Sequence, residues 1–191
     1  MKYTEFWMSA SSKRKRIYST LFVLVLAVIA TMAGTLVQLS PQDAQAIYNQ
    51  LNQTSTSPTL LTDIFVNNFP LCLLMFIPLA GIGIGLFILF STGMAFRAVF
   101  DVQAASGFDS SASISGIDPA TAVLVLVLAG AVFVIEYVSY SIAMTESVWL
   151  FRRLLQRRWK ELRVLAILIG VVAVLLAIGA VVEWAALSIG I

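Results

Sequence analysis

The sequence predicts an all-α integral membrane protein, a polytopic bundle of three full transmembrane helices plus a broken apolar element, four to five helices in all. Of the 191 residues, 60% are hydrophobic and 12% are charged, whereas soluble domains have roughly 45–50% apolar and about 25% charged residues. A soluble chain of this size lacks the polar residues needed to cover so much apolar surface. The same hydrophobicity excludes disorder, and the apolar residues form long runs between polar loops.

The first transmembrane helix is predicted at residues 17–39, an apolar run that follows a polar tail at residues 1–16. The run is long enough to cross a ~30 Å hydrocarbon core. It also exceeds the ~7–15-residue apolar region of a signal peptide, so we expect an uncleaved span. The polar loop at residues 40–63 has helical apolar spacing over residues 43–51, which predicts a short surface helix.

Residues 64–100 form an apolar but broken element. Pro70 and Pro78 each remove a helical hydrogen bond, and several glycines add backbone freedom. Irregular backbone survives at membrane depth only when protein or a water-filled cavity surrounds it. The pattern therefore favours a re-entrant segment or a tight hairpin of two short helices, followed by a second polar loop at residues 101–118.

A further transmembrane helix is predicted at residues 119–145, because Asp118 can cap a helix and Pro119 is favoured at its first position. A basic loop at residues 150–163 follows, and the last transmembrane helix is predicted at residues 164–188. The whole chain, residues 1–191, is interpreted as one membrane domain.

The basic residues are strongly segregated along the chain. Of 12 lysines and arginines, five lie in residues 1–16, six lie in residues 152–163, and the remaining one is Arg97. The positive-inside rule predicts that both clusters are cytoplasmic and both polar loops external, with a cytoplasmic N-terminus and an external C-terminus. The sequon at Asn52 agrees with an external loop. With both clusters inside, residues 64–100 must cross the membrane an even number of times, so they begin and end outside. A single kinked span would instead place the second basic cluster outside.

The composition also excludes several kinds of chemistry. The chain has no histidine, which excludes histidine acid–base catalysis and histidine metal ligation. Its one cysteine, Cys72, cannot form an intramolecular disulfide or a thiolate zinc site, and its apolar surroundings favour a buried structural role. The net charge of +2 is too small to indicate a nucleic-acid partner. We expect no catalytic residues, metal or cofactor, and no enzymatic activity.

Glu136 is the principal candidate site residue because it lies near the middle of a predicted span. A charged side chain there costs about 2.5–3.5 kcal/mol on insertion scales, so it normally faces protein and has a partner. Ser139 and Tyr140 lie on the same helical face. Glu136 either joins helices through a hydrogen bond to such a hydroxyl or belongs to a proton or ion pathway.

Other polar groups accompany Glu136. Arg97 either extends to the membrane interface or forms an ion pair with Glu136. The neighbouring Asn67 and Asn68 either cap a half-helix and bond to freed carbonyls or bind a ligand. We interpret Glu183, with Trp184, as an interfacial anchor.

Three further groups of residues have predicted roles. Gly81 and Gly85 form a GxxxG pair that permits close helix packing, a role also assigned to Gly93. Glu146 is expected to be solvated at the inner interface. The second basic cluster sets the topology and offers a binding site for anionic lipid head groups at Arg152, Arg153, Arg157, Arg158 and Lys160.

Short motifs in residues 17–150 resemble the stage II sporulation protein M (SpoIIM-like, DUF95) membrane family. The Asn67-Asn68 pair follows a predicted external loop, Gly93 follows a Gly-rich apolar stretch, and Glu136 lies in a later span. The sequence departs from the family pattern at Thr92, where the motif has Asn, and at Val132-Phe133, where it has His-Gly. The resemblance implies a non-enzymatic membrane component that assembles with partner membrane proteins.

The sequence therefore predicts a multi-pass protein of the cell membrane that acts as a scaffold or accessory subunit. Its expected partners are membrane lipids and either other membrane subunits or further copies of the chain. The alternative is an oligomeric transporter or channel for a small solute or ion, using Glu136 and the broken element at residues 64–100.

Overall fold

The structure, a computed structural model, describes residues 12–54, 61–106, 119–156 and 161–188. Within these ranges all regular secondary structure is α-helical, which confirms the predicted all-α fold class. The described ranges contain six helices: α1 (Ser12–Thr35), α2 (Pro41–Thr54), α3 (Leu61–Leu74), α4 (Ala80–Ala105), α5 (Pro119–Leu155) and α6 (Glu161–Ser188).

Four of the described helices, α1, α4, α5 and α6, are long and apolar enough to cross a membrane, which indicates a multi-pass membrane protein. The sequence predicted three full spans, and the additional one is α4, the second half of the broken element. Its glycines do not interrupt it, because glycine weakens a helix by only about 1 kcal/mol each in water and is common in transmembrane helices.

The break in the element lies at residues 75–79, between α3 and α4. Pro70 stays inside α3, since removing one N–H donor is tolerated where neighbouring helices support the backbone. The chain reverses at Pro78 and Leu79, and Leu79 has a φ of 67°, a left-handed conformation that is costly for a side chain with a Cβ. The Leu79 N–H donates to the Ser147 carbonyl of α5 at 3.4 Å, which fixes the turn against the bundle.

Helices α1 and α4 are parallel and in close contact. Near the end of α1, Gly34 lies against the α4 backbone at Gly93, and a Cβ on either glycine would overlap a carbonyl oxygen of the other helix. Near the starts of both helices, Tyr18 and Ile82 line one cleft. The two backbones meet because neither glycine has a side chain.

Helix α5 is antiparallel to α1. Arg16, near the start of α1, contacts Glu146 in the second half of α5 at 3.5 Å. Near the end of α1, the Thr31 hydroxyl shares a hydrogen bond of 2.5 Å with the Tyr137 hydroxyl. Helix α6 returns beside α5, so α1, α4 and α6 all begin at the end of the bundle where α5 finishes.

Helix ends differ from the predicted boundaries mainly at the basic segments. Helix α1 includes Lys13, Arg14, Lys15 and Arg16, and α5 continues through Arg152 and Arg153 to Leu155. These segments contain good helix formers and no proline or glycine, so nothing in them ends a helix. As a result, α5 covers the first part of the predicted loop at residues 150–163, and its basic residues lie at the same end of the bundle as those of α1.

The short helix expected in the 40–63 loop is α2, which packs against α4. The Ser40 hydroxyl accepts the Asp43 backbone N–H at 3.1 Å and so caps the helix. Ala44 is buried, whereas Gln45 and Asn49 are exposed and hydrogen-bonded to each other. Helix α2 therefore covers the end of α4 and leaves a polar surface facing away from the bundle.

Candidate functional site

The Glu136 carboxylate is bound by an asparagine from another helix. The Asn68 side-chain amide of α3 donates to Glu136 Oε1 of α5 at 2.6 Å. One turn further along both helices, the Cys72 thiol of α3 lies 3.9 Å from the Ser139 carbonyl oxygen of α5. These two contacts hold α3, the helix that contains Pro70, parallel to α5, with the Asn68 side chain directed at the Glu136 carboxylate.

The other predicted site residues, Arg97, Tyr140 and Asn67, have surroundings different from that of Asn68. Arg97 donates from Nε to Asp101 on its own helix at 2.8 Å. Its ion pair is therefore with Asp101 and not with Glu136, as the alternative had predicted. Both of these side chains are partly exposed, and a carboxylate one turn away satisfies the guanidinium locally. Tyr140 is buried in the core, and Asn67 is exposed.

A cavity of about 330 Å³ adjoins Glu136 between α4, α5 and α6. Glu183 of α6 lines the same cavity, together with the rings of Phe96 and Phe133. Two carboxylates in an apolar surrounding attract protons or cations, because each is costly to keep ionised without a compensating charge. The arrangement is able to hold a cation or to bind and release a proton.

Glu183 is the functional candidate that sequence reasoning interpreted differently, as an interfacial anchor. Its neighbour Trp184 is 45% exposed, in keeping with that role, but Glu183 itself lines the cavity. A sequence signal for this placement exists. Glu136 lies 19 residues before the end of α5 and Glu183 lies 22 residues after the start of α6, so an antiparallel hairpin brings both to similar depth.

The three predicted packing glycines lie at close helix contacts. A Cβ on Gly81 would lie 2.8 Å from Ser147 Cβ of α5 and overlap the Met75 carbonyl oxygen. A Cβ on Gly85 would lie 2.6 Å from Met144 Cγ of α5, and Gly93 meets α1 as described above. Gly83, between the first two, has no atom within 4 Å of its Cβ position.

A second polar cluster lies at the basic end of the bundle. Glu146 is 6% exposed rather than solvated, because its carboxylate faces Arg16 across the α1–α5 contact. The Trp149 ring lies within 5.6–5.7 Å of three guanidinium groups, those of Arg16, Arg152 and Arg153. Three of the predicted lipid-binding residues, Arg157, Arg158 and Lys160, lie outside the described residues.

Comparison of the chain with protein-family models, curated proteins and solved structures finds no match. No group of histidine, cysteine or acidic side chains within the described ranges is arranged to hold a metal ion.

The Asn68–Glu136 hydrogen bond is expected to couple the two residues energetically. In a double-mutant cycle with Asn68→Leu and Glu136→Leu, we expect a coupling energy of about 0.6–1.7 kcal/mol, between the mean and the maximum measured for polar contacts between transmembrane helices. Unfolding is measured by labelling of Cys72, the chain's one cysteine, which is fully buried in the folded state.

The neighbouring amide provides the control for this cycle. Asn67 is exposed, so Asn67→Leu combined with Glu136→Leu is expected to be additive. Glu136→Gln keeps an oxygen that can accept from Asn68 and is expected to lose less stability than Glu136→Leu. Equal coupling of Asn67 and Asn68 to Glu136 would contradict the assigned hydrogen bond.

Proposed function

We propose that this protein is a non-enzymatic membrane scaffold or accessory subunit of a larger membrane complex, as its resemblance to the SpoIIM-like family implies. The observation that carries the proposal is the use of intramembrane polar groups as ties between helices. Asn68 binds Glu136 across α3 and α5, and Thr31 binds Tyr137 across α1 and α5. Polar residues used in this way stabilise a fixed arrangement of helices, which a scaffold requires.

The residues behind the family resemblance support the same role. Asn68 and Glu136 form one of the two ties, and Gly93 lies at the close crossing of α1 and α4. The helices also leave many large apolar side chains exposed, including Phe87 at 70% and Leu126 at 74%. Such surfaces contact lipid and are available to other membrane subunits or to a second copy of the chain.

The proposed topology places the basic end of the bundle in the cytoplasm. Described basic residues other than Arg97 lie at the common end of α1, α5 and α6, and the positive-inside rule assigns such an end to the cytoplasm. The loops at residues 40–63 and 101–118 then lie outside, and the chain ends outside. The α3–α4 hairpin enters from outside and returns there, as the charge distribution requires.

The decisive experiment is native mass spectrometry of the tagged full-length protein, extracted from its native membrane in polymer discs. We expect foreign subunits bound at fixed stoichiometry, and we expect the same assembly with Glu136→Gln, which preserves the hydrogen bond to Asn68. Recovery of the chain alone, as a monomer or a homo-oligomer, would contradict the scaffold role in a hetero-complex.

A second candidate function is an oligomeric transporter or channel, favoured by the cavity that Glu136 and Glu183 share. Carboxylates at membrane depth commonly mark proton or ion pathways, and two of them beside aromatic rings suit a cation. This candidate predicts cation or proton flux in reconstituted vesicles that Glu136→Gln and Glu183→Gln each reduce. Asp101→Asn, which changes a carboxylate outside the cavity, is the matched control.

A further inference from the structure

A cleft of about 370 Å³ opens between α1, α4 and α5 at the basic end of the bundle. Its volume lies within the usual range of small-molecule sites, which is about 300–1,000 Å³. Tyr18, Trp149 and Arg152 line it near the ends of α1 and α5. Phe22, Val23 and Ile82 line its deeper part.

The lining changes from polar and cationic to apolar along the helix axes. Arg152 lies two turns closer to the end of α5 than Thr145, a separation of roughly 10 Å at 1.5 Å per residue. On α1, Tyr18 and Ser19 precede Phe22 by about one turn. A ligand that fits this gradient has an anionic head at the mouth and a hydrocarbon part inside.

The mouth of the cleft carries several cationic side chains. Three guanidinium groups lie around the Trp149 ring, and that of Arg16 also faces the buried Glu146 carboxylate at 3.5 Å. Arg152 is exposed and lines the cleft, and no ion pair to it is found among the described residues. Guanidinium groups bind phosphate oxygens in a planar, bidentate geometry.

A buried polar group inside the cleft supports ligand binding independently. Thr145 lines it and is 2% exposed, yet its hydroxyl has no hydrogen-bond partner within the described structure. A buried unpaired hydroxyl costs about 1–3 kcal/mol. Its neighbour Ser141, by contrast, donates to the Tyr137 carbonyl of the preceding turn at 2.6 Å. A carbonyl oxygen of a bound molecule would satisfy Thr145.

We propose that this cleft holds one anionic phospholipid. Its phosphate binds Arg152 beside Trp149, one acyl chain lies along Phe22 and Ile82, and an ester oxygen accepts from Thr145. Basic pockets between transmembrane helices are general binding sites for anionic head groups. The proposal does not depend on the scaffold role, because the site is formed within a single chain.

The test uses the full-length protein in discs of phosphatidylcholine that contain a minor fraction of phosphatidylglycerol. Native mass spectrometry is expected to show one phosphatidylglycerol retained per chain. Arg152→Gln is expected to lower its occupancy about fivefold, the effect of one basic residue at a membrane surface. Arg163→Gln removes an exposed cation at the same end of the bundle but outside the cleft, and it is expected to leave occupancy unchanged.

Three results would overturn the proposal: equal retention of phosphatidylcholine, equal losses in the Arg152 and Arg163 variants, or displacement of the lipid by inorganic phosphate at millimolar concentration. The last would indicate a free-phosphate site without an acyl contribution. Thr145→Val keeps the side-chain shape and is expected to reduce occupancy several-fold without lowering the melting temperature in lipid-free detergent. Unchanged occupancy in this variant would refute the contact to Thr145.

Discussion

Replacing Gly93 by alanine is expected to lower the free energy of unfolding by about 3 kcal/mol, at the upper end of the cost of overpacking. The new methyl group would overlap the Thr31 carbonyl oxygen and lie 3.0 Å from the Gly34 Cα. Both contacts involve backbone atoms, which cannot move aside as a side chain would. The α1–α4 crossing must therefore widen, and the packing of α1 along α4 is lost with it.

Gly83→Ala is the matched control, because Gly83 lies in the same helix and has nothing within 4 Å of its Cβ position. It is expected to be neutral or slightly stabilising, since alanine favours helix more than glycine. Thermal unfolding followed by fluorescent labelling of Cys72 should show a decrease of roughly 10 °C for Gly93→Ala alone. Similar melting temperatures for the two variants would refute the close crossing of α1 and α4.

Glu146→Ala is expected to cost about 3 kcal/mol, because it leaves the partly buried Arg16 guanidinium without the Glu146 carboxylate. Removing one member of a buried pair typically costs about 3–5 kcal/mol. The lower value applies here because the Arg16 side chain retains 22% of its exposure, compared with 8% for Glu146. The same labelling assay of Cys72 measures the effect.

Two comparisons test whether burial of the charge causes the effect. Asp101→Ala breaks the more exposed Arg97–Asp101 pair, whose side chains are 40% and 31% exposed, and is expected to cost less than about 1 kcal/mol. The double variant Arg16→Met with Glu146→Leu removes both charges and is expected to be more stable than Glu146→Ala. Equal losses in the free energy of unfolding for Glu146→Ala and Asp101→Ala would show that burial does not make the Arg16–Glu146 pair costlier to break.

The sequence predicted that Glu136 is a site residue but not which residue binds it. The cost of a carboxylate in an apolar span singled out Glu136 and required a partner, whereas Asn68 was predicted to cap a half-helix, to bond to freed carbonyls or to bind a ligand. Helical spacing suggested Ser139 or Tyr140 as that partner, and Arg97 was the alternative because opposite charges attract at membrane depth. The structure instead brings Asn68 across from α3, and Ser139 donates to the Ile135 carbonyl of its own helix.

The pairing of Arg16 with Glu146 had no local signal in the sequence. The two residues belong to different helices, and each lies where an isolated interfacial charge is expected to reach water. Only the antiparallel contact of α1 with α5 places the guanidinium beside the carboxylate, burying Glu146 and partly burying Arg16. The same contact places Arg16 beside the Trp149 ring.

Composition and patterning by themselves determined the class of protein, the approximate spans and the segregation of charge, because each follows from the free energy of placing residues in water or in lipid. The tertiary structure decided that α4 is a full helix, that Glu136 binds Asn68, and that Glu183 shares its cavity. The physical reason is that helices apolar on all sides have no distinct inward face. Their rotation and crossing depend on small residues such as Gly93 and on a few polar contacts, which the packed bundle alone brings together.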